Sequence, residues 1–269
     1  MTLLDRLRDQ FPEASRTSLK QWLEHGRVEV NGRVVRDGRT LVDTAVRVTL
    51  GRHGAVPFPP SLRLVHEDDD LLVIDKPSGL LTIATDRERE QNAYRMLFEY
   101  VHAQRPRRRL FIVHRLDRDT SGLVVFAKSE RAKRRLQAQF EARAVERIYV
   151  AVVEGRVNQE EGTLESRLTE DKDLRVRPGT TGKLAITKYR VRQRRRDSTV
   201  LDLSLGTGRR HQIRVQLAAM GHPIIGDEAH GSRARRRTRL CLHAGGLGFT
   251  HPQSGARVRF DSAPPAGWV

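Results

Sequence analysis

The stretch His114–Lys128, HRLDRDTSGLVVFAK, places Asp117 between Arg115 and Arg118, with His114 before it and Asp119 after it. The polar cluster then runs into an apolar segment, Leu123–Ala127, that reads as a strand. Asp119, Thr120, Ser121 and Gly122 supply turn chemistry between the two. A carboxylate presented at a rigid strand entrance can serve as a nucleophile. Burial with a substrate would raise its pKa, and a neighbouring cation would lower it again. The same residue types also serve a salt-bridged structural loop, so the bare chemistry leaves both readings open.

Composition narrows the partner. The chain has 269 residues, enough for one large domain or a large and a small one. Lys and Arg total 50 against 33 Asp and Glu, a net charge of +17. Only seven of the cations are lysines, so 43 are arginines. An arginine-rich genome explains Arg in place of Lys, but not the surplus over acids. That surplus favours a polyanionic partner, nucleic acid first. The single cysteine, Cys241, excludes an internal disulfide and the multi-cysteine zinc sites. The charged N-terminus lacks the apolar core of a signal peptide, and no segment reaches membrane-helix length. A soluble intracellular protein with no membrane partner is expected.

Two units must position the chemistry. Residues 1–50 read as a small α/β unit, 51–61 as a Gly/Pro-rich linker and 62–269 as a second, larger domain. In the first, Ser15 caps a helix through RTSLKQWLEH, with Leu19, Trp22 and Leu23 on one face and Gly26 ending it. Val28 and Val30 begin a hairpin whose turn is Asn31-Gly32. Arg16, Lys20, Arg27 and Arg33 form a candidate phosphate-binding set, although each alone reads equally as a solvated charge. In the second, strands are expected at LLVID, IYVAVVEG, ITKYRVRQ and STVLDLSL. Helices are expected over Asn92–Ala103, over SERAKRRLQAQFEARAVER and over HQIRVQLAAMG. Without regular βαβ alternation, the fold class is α+β with a largely antiparallel mixed sheet. The cluster His66–Asp70 reads as a turn between strands rather than a metal site. The basic runs 105–109, 192–196 and 233–237 are candidate RNA-backbone tracks. The short GTG at 206–208 lacks the context of a dinucleotide loop, and no cofactor or metal site is found.

HRLDRDTSGL resembles the signature of RluA-type pseudouridine synthases, and four further stretches are similar to that family in order: DDLLVIDKPSGLL, RIYVAVVEG, GTGRRHQIRVQLAAMGHPIIGD and LCLHA. Residues 15–50 resemble the S4-type RNA-binding domain often fused to these enzymes. The opening His-Arg-Leu-Asp separates the chain from the RsuA-type group, whose motif opens with Gly. The resemblance implies a uridine-to-pseudouridine isomerase acting by base flipping on structured RNA, ribosomal or transfer, with no cofactor and no obligate protein partner. It implies Asp117 as the catalytic nucleophile and Arg209 as its paired arginine. Tyr149 would stack on uracil, with proton removal as a weaker second role, because a phenol's ordinary pKa is about 10. Arg115 would hold the gap left by the flipped base, Leu242 would pack on its other face, and His114 would contact phosphate or brace the loop. Two departures stand out: His230 where the family usually has Tyr, and Arg147 where Lys is frequent. Neither falls on the residues implied for catalysis. A non-catalytic RNA-binding factor on the same scaffold is the alternative. A carboxylate-dependent nuclease would need paired acids or a metal cluster, which the motif does not supply.

Overall fold

In the computed structural model, the Ser15 hydroxyl accepts the amide of Ser18 and opens helix α2, Arg16–Glu24. Gly26 ends it in the left-handed region at φ 64°. Strands β1 (Val28–Val30) and β2 (Arg33–Val34) follow, joined by Asn31 and Gly32 at φ 52° and 76°, the backbone that a type I′ hairpin turn requires. A third strand, β3 (Val48–Leu50), pairs with β1. An additional helix, α1 (Leu3–Gln10), precedes them; its charges mask the Leu3–Leu7 spacing that buries both leucines with Leu19, Leu23, Val28 and Val48.

The chain divides into two units, Met1–Pro59 with Leu97–Arg109, and Pro60–Met96 with Leu110–Val269. The description covers all residues except 25, 52–56, 86, 87, 89, 90, 105–107, 173, 174, 234–238 and 269. Most of the expected linker core and much of the basic runs at 105–109 and 233–237 therefore lie outside the described residues.

The second unit holds β4 (Arg63–Glu67), β5 (Leu71–Lys76), the start of α3 (Ala93–Gln104), β6 (Phe111–Ile112), β7 (Ser121–Ala127) and α4 (Glu130–Glu141). Next come β8 (Glu146–Glu154), β9 (Glu161–Glu170), β10 (Val176–Gly179), β11 (Lys183–Arg194) and β12 (Ser198–Leu205). Helix α5 (Gln212–Ala219), a 3-10 turn over Glu228–His230, β13 (Leu242–Thr250) and β14 (Arg257–Asp261) complete it. These strands form one sheet in the order β10-β9-β11-β12-β8-β13-β7-β5-β4, with β14 on β13 and β6 on β7. Every described pairing is antiparallel except β13 with β7. All seven residues of β7 are buried, which is why its sequence is apolar without alternation. Leu71, Val73, Leu123, Val125, Leu136 and Phe249 form the core between this part of the sheet and α4.

The helix expected to reach Arg147 stops at Glu141. Arg143 adopts φ 58° and turns the chain towards β8, so Val145 enters the core just ahead of that strand and not as part of the helical stripe. In the His66–Asp70 segment β4 ends at Glu67 and the chain turns through Asp68–Asp70 into β5. Asp68 Oδ1 accepts the amides of Asp70 and Leu71, both at 2.8 Å. Its Oδ2 accepts from His66 Nε2 at 2.7 Å and His251 Nε2 at 3.0 Å. His251 Nδ1 accepts the amides of Gln253 and Ser254, so its ring proton sits on Nε2, where a metal would need a lone pair. Among the described residues no helix is long and apolar enough to cross a membrane.

Gly122 closes β7 against β13. Its φ is +116°, and a Cβ there would lie 2.3 Å from the Ala244 carbonyl oxygen. Neither backbone can retreat without opening the sheet. Gly122→Ala is expected to cost about 3 kcal/mol or more. Thermal unfolding measures it, and an unchanged midpoint would mean that the two strands are not so closely apposed.

Candidate active site

The loop before β7 is held by its own carbonyls. The Thr82 hydroxyl donates to Leu116 O at 2.8 Å and accepts the Leu116 amide at 3.1 Å. Lys76 Nζ and the Gly79 amide both donate to Arg118 O at 3.0 Å, and the Ser78 hydroxyl donates to Asp119 O at 2.7 Å. Lys76 is fully buried, and its other two protons go to Pro77 O and Leu80 O. Burial lowers its pKa to about 8 against the pull of Asp119 and Asp117. An ammonium can stay charged in such a place only because all three donors are met. The segment DKPSGLLT is thus the clamp that fixes the Asp117 loop.

Asp117 faces a cleft of about 800 Å³ and keeps 24% of its side chain exposed. A nucleoside-sized ligand fits a space of that order. The cation beside it is Arg214, whose Nη1 lies 3.7 Å from Asp117 Oδ2. Arg214 also binds Asp227 through Nε and Nη2, both at 2.7 Å, in a buried bidentate pair. Burial opposes the Arg214 charge, but Asp227 and Asp117 raise its pKa on balance. His211 Nε2 lies 3.9 Å from the same carboxylate oxygen.

The Arg209 pairing implied by the motif is therefore made five residues later. Arg209 lines the cleft but is exposed; its Nε donates to Leu184 O at 3.3 Å, and among the described residues it makes no ion pair with Asp117. Arg210 is taken by Glu170 at 2.7 Å. Helix α5 begins between these arginines and Arg214, and it carries only Arg214 inward. Two buried glutamines hold that helix. Gln212 Oε1 accepts from the Thr207 hydroxyl at 2.7 Å and the Arg209 amide at 3.0 Å. Gln216 Nε2 donates to Leu164 O, Ser166 Oγ and Ala185 O on β9 and β11. Gly208 leaves room for Arg147, whose Nη1 would lie 2.5 Å from an added Cβ.

Tyr149 and Leu242 lie on adjacent strands. The register sets Leu242 against Ala151 and Ala244 against Tyr149, so both side chains share one face and line the cleft. Burial and the Asp117 charge push the Tyr149 phenol up to about 12, with Arg147 opposing. It keeps its proton at neutral pH. Arg115 lines the cleft, exposed and without a partner among the described residues. His114 braces the loop: its Nε2 accepts the Val125 amide at 3.1 Å, and its ring stacks on Phe140 at 4.8 Å. Burial, with Arg147 adding to it, holds that imidazole down to about 3. The two departures from the family pattern both reach this site. Arg147 lines the cleft, and His230 Nε2 lies 3.2 Å from His211 Nδ1.

In the other unit, Arg16 and Lys20 are exposed one turn apart on α2, and Arg33 is exposed on β2. Arg27 instead packs over the Trp22 ring at 5.4 Å.

Sequence reasoning misses Arg214, His211, Lys76 and the two glutamines as site-forming groups. The available signal is polar residues at every second position of an otherwise apolar helix, Gln212, Arg214 and Gln216, which no amphipathic surface helix would show. Arg214→Met should cost about 3–5 kcal/mol by stranding the buried Asp227 carboxylate, read by denaturant unfolding. His114 binds its proton more weakly folded than unfolded, so stability should fall as pH drops from about 6.5 to 3. In His114→Gln, parallel melts should show a shallower loss across that window.

Residues 70–219 match the RNA pseudouridylate synthase family, and residues 1–48 match the S4 domain. A ribosomal large subunit pseudouridine synthase D of Pseudomonas aeruginosa is 36% identical, over 99% of this chain and 89% of its own. The protein of the same name in Vibrio parahaemolyticus is also 36% identical, over 96% and 86%. An uncharacterized RNA pseudouridine synthase of Bacillus subtilis is 35% identical over 93% and 86%. In fold, the chain is similar to human RNA pseudouridylate synthase domain containing 4, with a TM-score of 0.65 and 22% identity over 77% of this chain and 90% of that one. The family match spans more than half the chain and includes the Asp117 loop, the Tyr149 strand and Arg214, and so the chain belongs to the RNA pseudouridylate synthases, which isomerise uridine in RNA to pseudouridine, and carries an S4 domain before its catalytic unit.

Proposed function

We propose that this synthase modifies uridines of large-subunit ribosomal RNA in the cytoplasm, with Asp117 as the nucleophile. The observation that carries the assignment of Asp117 is its ionisable carboxylate in an open cleft, 3.7 Å from a guanidinium locked in place by Asp227. Pseudouridine formation breaks the N1–C1′ bond, turns the base and rejoins it through C5. No group is imported, and the oxidation state of the nucleoside is unchanged. A carboxylate can capture the fragment at the severed bond and release it after the base has turned. Arg214 sets a positive charge 3.7 Å from that carboxylate, in line with the in-cleft compensation that a buried acid needs.

Tyr149 and Leu242, on one face of neighbouring strands, form the platform on which uracil stacks. Arg115 enters the space that the flipped nucleotide leaves, consistent with its exposed guanidinium beside the cleft. Arg16, Lys20 and Arg33 contact phosphates, and Arg27 supports them through Trp22. The ribosomal assignment rests on the relatives named for the large subunit, which align over nearly the whole chain.

Asp117→Asn should leave RNA affinity near wild type and abolish product. Carbodiimide-dependent primer-extension stops on treated ribosomal RNA measure this, and persisting stops would remove Asp117 from the mechanism. Replacing Arg16, Lys20 and Arg33 together by Ala should weaken binding and lower the slope of log affinity against log salt by roughly 2–3. An unchanged slope in filter-binding titrations would show that these residues meet no phosphate.

A further inference from the structure

Joining uracil C5 to ribose leaves a hydrogen on C5 that must depart as a proton. Something in the cleft must take it. Tyr149 holds its own proton at neutral pH, with a pKa near 12. Asp117 is committed as the nucleophile in the reading above, on which this inference rests. The arginines that line the cleft are charged donors without a lone pair. His114 has its Nε2 lone pair taken by the Val125 amide. Glu170 is paired with Arg210, and Glu141 is an exposed carboxylate at the end of α4. His211 is left. Its Nε2 stands 3.9 Å from Asp117 Oδ2, beyond hydrogen-bond reach, as two lone pairs sharing one space would be.

The rest of His211 is arranged around that nitrogen. Its backbone is left-handed, φ 51° and ψ 17°, immediately ahead of α5. A non-glycine residue pays for that conformation, and such outliers gather at functional sites. Its Nδ1 meets His230 Nε2 at 3.2 Å, with the rings edge-on at 85°. When His211 donates from Nδ1 to His230, its proton is held away from the cleft and Nε2 is bare. The charged and titratable groups around the pair are Asp117 on the loop, Arg210 and Arg214 flanking His211, and Asp227 ahead of His230. Burial lowers both imidazoles, Arg214 adds to this, and Asp117 opposes it; His211 is held to about 4. Both rings are therefore neutral at pH 7.

We propose that His211 is the base that removes the C5 proton, and that His230 is the positioning residue that fixes its ring and tautomer. The step balances. The C5–H electron pair becomes the C5=C6 double bond, and the C6=N1 pair formed during C5–C1′ bonding settles on N1, which takes a proton from solvent. His211 gains the C5 proton on Nε2 and shares the resulting charge with His230 through Nδ1. It later returns a proton to solvent, so substrate and product have the same composition. His230 occupies the family's usual tyrosine position, and a phenol there could accept the same Nδ1–H.

The test follows tritium released from RNA carrying [5-³H]uridine, in single turnovers of the full-length enzyme with RNA affinity measured alongside. His211→Asn tolerates the left-handed backbone and has no basic nitrogen. It should bind RNA normally and release tritium about 10²-fold more slowly, as loss of a general base does. A deuterium isotope effect at C5 should then appear, because proton removal has become limiting. His211→Gly suits the same backbone and opens a space, and added imidazole should restore its rate. His230→Phe should slow release, and His230→Tyr, which keeps a hydrogen-bonding oxygen, should recover part of the loss. A wild-type rate in His211→Asn, or a slowed rate with neither isotope effect nor imidazole rescue, would overturn the proposal. Equal rates for His230→Phe and His230→Tyr would overturn the positioning role. Failure of the wild-type protein to release tritium would instead overturn the ribosomal RNA reading on which the inference rests.

Discussion

The buried guanidinium of Arg214 is the constraint around which the catalytic end is built. Two of its nitrogens are spent on Asp227, which is itself removed from solvent, and the third faces Asp117. A buried charge pair is no great source of stability, since desolvation offsets most of the attraction. What it supplies is position. The fork geometry leaves the free nitrogen one direction in which to point, and the carboxylate of the loop lies there. Asp227 belongs to the segment after α5, so one side chain ties the helix, that segment and the Asp117 loop into a single electrostatic unit.

That unit needs a rigid partner, and the loop would not be rigid by itself. Residues 114–120 have no ladder of their own, and their carbonyls at Leu116, Arg118 and Asp119 are met by Thr82, Lys76, Gly79 and Ser78. Buried polar groups of this kind are costly unless each is satisfied, and here each named donor reaches an acceptor. On the opposite side of the cleft, Gln212 and Gln216 serve the same end for α5. The cleft thus lies between two elements held by hydrogen bonds rather than by apolar packing alone. Such bonds are directional, and they fix where the Asp117 carboxylate points.

Burial also sorts the titratable groups by task. His114, Tyr149 and His211 sit within one cleft, and desolvation shifts each toward its neutral form. Only the hydrogen bonds distinguish them. His114 accepts a backbone amide and becomes a brace. Tyr149 keeps its proton and offers a flat face. His211 meets His230 at 3.2 Å and stands 3.9 Å from the same oxygen that Arg214 addresses.

Much of the fold was legible in the chain because local patterns and tertiary demands coincide. The Asn31-Gly32 turn, the Ser15 cap, the buried run of β7 and the strand Ser198–Leu205 are each specified by nearest neighbours, and the structure keeps them. Helix α1 and strands β9, β10 and β14 are half-exposed and charged, so their pattern is weak until a partner supplies the ladder. The site divides in the same way. The sequence by itself determined the Asp117 loop, the Tyr149 strand and the basic character that suits RNA, because each is a contiguous motif. Which arginine meets Asp117 was decided only by tertiary structure. Arg209, Arg210 and Arg214 are alike in type and close in sequence, and the start of α5, pinned by buried glutamines, turns one of them inward and leaves the others to solvent. The pairing of His211 with His230, nineteen residues apart, has no local signature either, since it arises from the chain's return past α5 and not from any spacing along it.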